Sequence, residues 1–107
     1  MKDEYLESLL SIIKSKKNDD PGVSYTALLH QKGLSEILSK ISEEAEETII
    51  AAQSEGNEQL VHEIADLWFH CLVLLSQKKL TVNDITNELK KRQGTSGIEE
   101  KNNRVKN

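Results

Sequence analysis

The residues most able to do chemistry lie between positions 40 and 70. Glu43, Glu44, Glu46 and Glu47 crowd the segment KISEEAEE, and Glu63 and Asp66 interrupt the otherwise apolar run EIADLWFHCLVLL. Two readings fit such acids. An isolated EEAEE is ordinarily a solvated helix face, whereas carboxylates that converge from two places form a site for a hard divalent cation, which prefers their oxygen.

Helical geometry favours convergence. Successive helical residues turn through roughly 100°, so Glu63, Asp66 and His70, at i, i+3 and i+7, share one face. Leu60, Leu67 and Leu74 border that face, and Ile64, Trp68, Cys71, Leu72, Val73 and Leu75 cover much of the remaining circumference. A helix apolar nearly all round must be covered on several sides, so its acids point into a packed or cleft environment. On the preceding helix Lys40, Glu44, Glu47 and Ala51 form a row beside an apolar stripe, with Glu43 and then Glu46 lying further out. Antiparallel packing across the short SEGN connection brings Glu44 and Glu47 near Glu63 and Asp66. Crowded carboxylates repel, and each is costly to remove from water. Mg²⁺, or Mn²⁺ in its place, is the simplest compensation. Zinc would want histidine and thiolate, but His62 is expected to point away from Glu63 and Cys71 to be buried among apolar neighbours. On residue chemistry alone the solvated face and the metal site both stay open.

The elements that must position these residues are helical. Tyr5, Leu6, Leu9, Leu10, Ile12 and Ile13 line a first helix that runs out before the Pro21–Gly22 turn. Ser24 caps a short helix through YTALLHQK, ended by Gly33. A long helix from about Leu34 to Ser54 buries Leu34, Ile37, Leu38, Ile41, Ala45, Thr48, Ile49 and Ala52. Asn57 caps a second long helix reaching about Gln77, and Thr81 with Asp84 forms the capping box of a last one. The expected fold is all-α: an antiparallel helical bundle over residues 1–93, followed by a polar tail at 94–107.

Composition narrows the classes further. With 107 residues, 36% hydrophobic and 4% aromatic, the core is aliphatic and small, and self-association is expected to complete it. The net charge of -4 argues against nucleic acid and membrane surfaces as partners. A single cysteine, no signal peptide and no apolar run near 18 residues fit a cytoplasmic protein.

The pattern Glu43-Glu44-x-x-Glu47 followed by Glu63-x-x-Asp66 resembles the EExxE…ExxD signature of the MazG-like all-α nucleoside triphosphate pyrophosphohydrolases. The blocks SYTALLHQKG (24–33), KISEEAEE (40–47), EIADLWFHCLVLL (63–75) and ELKKRQGTSGIEEKNNR (88–104) add to it. Together they resemble, over nearly the whole chain, the phosphoribosyl-ATP pyrophosphohydrolase family of histidine biosynthesis. The acids alone specify the superfamily; the SYTALL block and the SG-x-EEK tail make the narrower match. The chain departs from the family in having Ser42 where glycine is frequent, and Lys14, Lys16 and Lys17 where arginine is common. Neither change removes a proposed metal ligand, though the second leaves open which basic residue meets phosphate.

The resemblance implies the all-α NTP pyrophosphatase fold, and the nearly all-round apolar helix adds the expectation of a homodimer or higher oligomer. It implies hydrolysis of phosphoribosyl-ATP at the α–β phosphoanhydride bond, giving phosphoribosyl-AMP and pyrophosphate with Mg²⁺ as cofactor. Glu44, Glu47, Glu63 and Asp66 are then the metal ligands, and Glu43 a ligand or general base. Lys40 would meet phosphate or form a solvated salt bridge. His70 would hydrogen-bond at the site or simply pack, and Tyr25 would contact substrate or serve as a core anchor. Arg92, Lys101 and Arg104 would close over phosphates of the same or a neighbouring subunit, or else belong to a solvated end. Two alternatives stand beside this one: a housecleaning pyrophosphohydrolase of free (d)NTPs using the same acids, and a noncatalytic helical oligomerisation module.

Overall fold

The computed structural model describes residues 3–93, together with Ile98 and Lys101. Five helices and no strand occur among the described residues: α1 (Asp3–Ser15), α2 (Tyr25–Lys32), α3 (Leu34–Ser54), α4 (Asn57–Gln77) and α5 (Val82–Arg92). The fold is all-α, as expected. Arg104 and most of the 94–107 tail lie outside the described residues.

Local chemistry sets the helix boundaries. Asp20 Oδ1 accepts from the Gly22 N–H at 2.9 Å and turns the chain after Pro21. Ser24 Oγ then caps α2 by accepting from the Ala27 N–H at 3.1 Å. Gly33 ends α2 and starts α3 at once, with φ 92 and ψ -172, a conformation a side chain would strain. Thr81 and Asp84 exchange both bonds of a capping box at the head of α5. The end of α4 is less ordinary. The Leu80 N–H reaches the Leu75 carbonyl at 2.8 Å and the Lys79 N–H reaches Ser76 at 3.1 Å, a Schellman closure with Lys79 at φ 62 where glycine is usual.

Leu10, Ile13, Leu29, Ile37, Leu72, Val73 and Val82 form the core, drawing on all five helices. Only Glu55 and Gly56 separate α3 from α4, so the two long helices fold back on each other as an antiparallel hairpin. α1 packs on α4 and α5, while α2 packs on both α3 and α4. Every buried residue of α4 lies from His70 onward. The core therefore sits at one end of the hairpin, and the acidic segments lie toward the other.

Three expectations are corrected. Asn57 is the first residue of α4 rather than its cap; Gly56 holds that place, with no side-chain bond. The α3 stripe is only partly buried: Ile37 and Ala51 are enclosed, but Leu34, Leu38, Ile49 and Ala52 are exposed, because none of the described residues covers that side of the hairpin. Cys71 is exposed as well, beside Leu6, Trp68 and Leu72.

Candidate active site

The hairpin places Glu44 of α3 opposite Glu63 and Asp66 of α4. One carboxylate oxygen from each lies within 4.8 Å of the others. An octahedral magnesium with oxygens at about 2.1 Å spaces its ligands roughly 3 to 4 Å apart, so little closure is needed. Two oxygens in the cluster, Glu44 Oε1 and Glu63 Oε1, are shut off from solvent without a hydrogen-bond partner among the described residues. Native proteins rarely leave buried polar atoms in that state. An oxygen-seeking cation would satisfy both, so the donor set fits a hard divalent ion.

Supports arrive one helical turn earlier on α4. Gln59 Nε2 donates to Glu63 Oε2 at 2.7 Å, which leaves Oε1 as the free oxygen. His62 Nε2 lies 3.4 Å from Asp66 Oδ2. The sequence sets His62 apart only from Glu63, and its i, i+4 spacing to Asp66 is the signal for this contact.

Electrostatics single out Glu44. Burial pushes its carboxyl up to about 7, with the charge and hydrogen bond of Glu47 next and the charges of Asp66 and Glu63 after that. A bound cation would reverse this preference for the proton. Glu47 stands at the rim, against Glu44 on the inner side. On the outer side it joins Ser39, Ser42, Glu43 and Glu46 around an open pocket of about 590 Å³. Glu43 faces that outer side, where it holds Lys40 Nζ at 3.6 Å. That pairing, with Tyr25 adding, raises the Lys40 ammonium above its ordinary pKa.

The remaining candidates are placed differently. His70 is buried, with Nδ1 2.8 Å from the Asp66 carbonyl and Nε2 2.8 Å from the Tyr25 hydroxyl. Both ring nitrogens are therefore engaged within the chain. Tyr25 is exposed, and its ring lies parallel to Phe69 at 6.3 Å between centroids. Arg92 is not brought to the acids: α5 packs chiefly on α1, and Glu88 holds the guanidinium at 3.3 Å. Lys101 is exposed, and Arg104 lies outside the described residues.

Comparison with known proteins identifies the family. The model of the family described as phosphoribosyl-ATP pyrophosphohydrolase matches residues 6–93. A phosphoribosyl-ATP pyrophosphatase of Hydrogenovibrio crunogenus is 50% identical across 100% of this chain and 98% of its own length. That of Vesicomyosocius okutanii is 50% identical across 95% of this chain and 97% of its own. One from Methylococcus capsulatus is 49% identical across 92% and 93%. With the family model spanning all five helices and full-length relatives sharing half their residues, the chain belongs to the phosphoribosyl-ATP pyrophosphohydrolase family.

Proposed function

We propose that this chain hydrolyses phosphoribosyl-ATP between its α and β phosphorus atoms, releasing phosphoribosyl-AMP and pyrophosphate, with Mg²⁺ or Mn²⁺ held by Glu44, Glu63 and Asp66 and completed by Glu47. One observation carries the metal assignment: carboxylates of two helices meet within 4.8 Å and leave two buried oxygens without a partner among the described residues. The names of the full-length relatives support the substrate. When bound, a divalent ion supplies positive charge for the polyphosphate and acidifies a water.

The chain's own residues do the rest. Glu44 and Glu63 turn their unpartnered oxygens inward, and Gln59 holds the other oxygen of Glu63 away. Lys40 meets a phosphate oxygen, exchanging the Glu43 carboxylate for it. On the outer side, Glu43 released from Lys40 is free to serve as the general base. The Asp66 carboxylate is steadied from the side by His62.

The reading includes self-association and a cytoplasmic location. Leu34, Leu38, Ile49, Ile50 and Trp68 are large apolar side chains left exposed in one chain, which supports a homo-oligomer. No helix among the described residues is long and apolar enough to cross a membrane. The deciding assay is pyrophosphate release from phosphoribosyl-ATP with and without Mg²⁺. Release that needs the ion and strongly prefers this substrate over dCTP and dUTP is expected; the opposite preference would overturn the substrate assignment. Sedimentation showing only monomer at micromolar concentration would overturn self-association.

A further inference from the structure

Two histidines tie α2 to α4, and their chemistry is the same. His30 of α2 places Nδ1 2.8 Å from the Thr26 carbonyl and Nε2 2.8 Å from Ser76 Oγ. His70 of α4 places Nδ1 2.8 Å from the Asp66 carbonyl and Nε2 2.8 Å from the Tyr25 hydroxyl. A carbonyl oxygen only accepts, so each Nδ1 carries the ring proton. In the singly protonated ring each Nε2 is then the acceptor and the hydroxyl opposite donates to it. Both nitrogens of each ring are used.

Their surroundings differ. His30 and Ser76 are both buried, beside the core residue Leu29 and well along α4 from the acids. The other link starts at the first residue of α2 and ends one turn beyond Asp66. Burial raises the Tyr25 phenol above its ordinary pKa; the charge of Lys40 opposes this, and those of Glu44, Glu36 and Glu43 add to it. α2 packs both on α3, which carries Glu44, and on α4, which carries Glu63 and Asp66. A bond from the head of α2 to α4 at this level therefore braces the two acid-bearing helices against each other.

We propose that Tyr25 and His70 are positioning residues: the hydrogen bond between them sets the spacing at which Glu44 meets Glu63 and Asp66, and so the affinity of that cluster for a divalent cation. The proposal rests on the metal assignment above. Outer contacts that orient a metal's ligands are commonly worth about 10- to 100-fold in affinity, which sets the expected size.

The test is Mn²⁺ binding to the full chain without substrate, followed by electron paramagnetic resonance, with a melting temperature recorded for every variant. Tyr25→Phe and His70→Asn, which lose the bond, are expected to weaken Mn²⁺ by about tenfold or more. His70→Gln, whose amide oxygen takes the place of Nε2 as acceptor for Tyr25, is expected to recover most of the affinity. Ser76→Ala, which breaks the matching link in the core, is expected to lower the melting temperature and leave Mn²⁺ affinity alone. Wild-type affinity in Tyr25→Phe, or an equal loss in Ser76→Ala, would overturn the proposal while leaving the metal assignment intact. A wild-type chain that bound no Mn²⁺ would overturn both.

Discussion

The two halves of α4 solve the problem of buried polarity in opposite ways. From His70 onward the chain finishes the job itself: buried His70, His30 and Ser76 all have hydrogen-bond partners at 2.8 Å, and Leu72 and Val73 fill the space around them. Toward the other end, Glu44 Oε1 and Glu63 Oε1 are enclosed with no partner among the described residues, in a cluster of like charges. The first half is a scaffold complete as synthesised. In the proposed reading the second is a receptor completed by a cation, and the short Glu55–Gly56 connection brings its two sides together despite their repulsion.

Substitution within the cluster should separate activity from folding most sharply. Asp66→Asn and Glu44→Gln each remove one proposed anionic ligand, and turnover is expected to fall on the order of 100-fold or more. Helical content should be unchanged, and the melting temperature without metal equal or higher, because a repulsive charge is gone. Pyrophosphate release and circular dichroism measure the two sides. Undiminished turnover would remove that residue from the site.

Substitution in the scaffold should do the reverse. Ile13 is 1% exposed, within the core contributed by α1. Ile13→Ala is expected to lose about 2–5 kcal/mol of stability through lost contacts and a residual cavity. Mn²⁺ affinity of the folded fraction should stay at the wild-type value. A variant that stayed folded yet lost the metal would show that the halves are not separable.

How far this division was legible in the sequence depended on the range of the interactions. Ser24, Gly33 and the Thr81–Asp84 pair are local signals, and the helices begin and end where those signals stand. The convergence of Glu44 with Glu63 and Asp66 was legible too, because a two-residue connection leaves the helices little choice of partner. The Schellman end at Lys79 gave no warning, since lysine stands where glycine would announce it. His70 shows the limit of a helical wheel. Periodicity places it on the acidic face, but its ring nitrogens are taken by its own helix and by Tyr25, which is 45 residues away. The exposed part of the α3 stripe fails for a related reason: apolar spacing marks a face that wants cover, while the described residues cover only part of it.

The smallest expected effect is the pH dependence that Glu44 lends to the metal-free protein. Its carboxyl titrates at about 7 in the folded chain, against an ordinary 4.5 once unfolding returns it to water. Between those values the folded state holds more protons than the unfolded state, so stability falls as pH rises through the window. The penalty is absent below about 4.5 and complete above about 7. Wild-type protein in chelator should therefore melt lower at pH 8 than Glu44→Gln does by a wider margin than at pH 5. The side chain is only part-buried, which limits the change to roughly a few degrees. Saturating Mg²⁺ should raise the wild-type melting temperature more at pH 8 than at pH 5, because the ion needs the deprotonated form. Parallel pH profiles for wild type and Glu44→Gln would show that the enclosed carboxylate is not strained by its neighbours, and would erase the contrast between the two ends of α4.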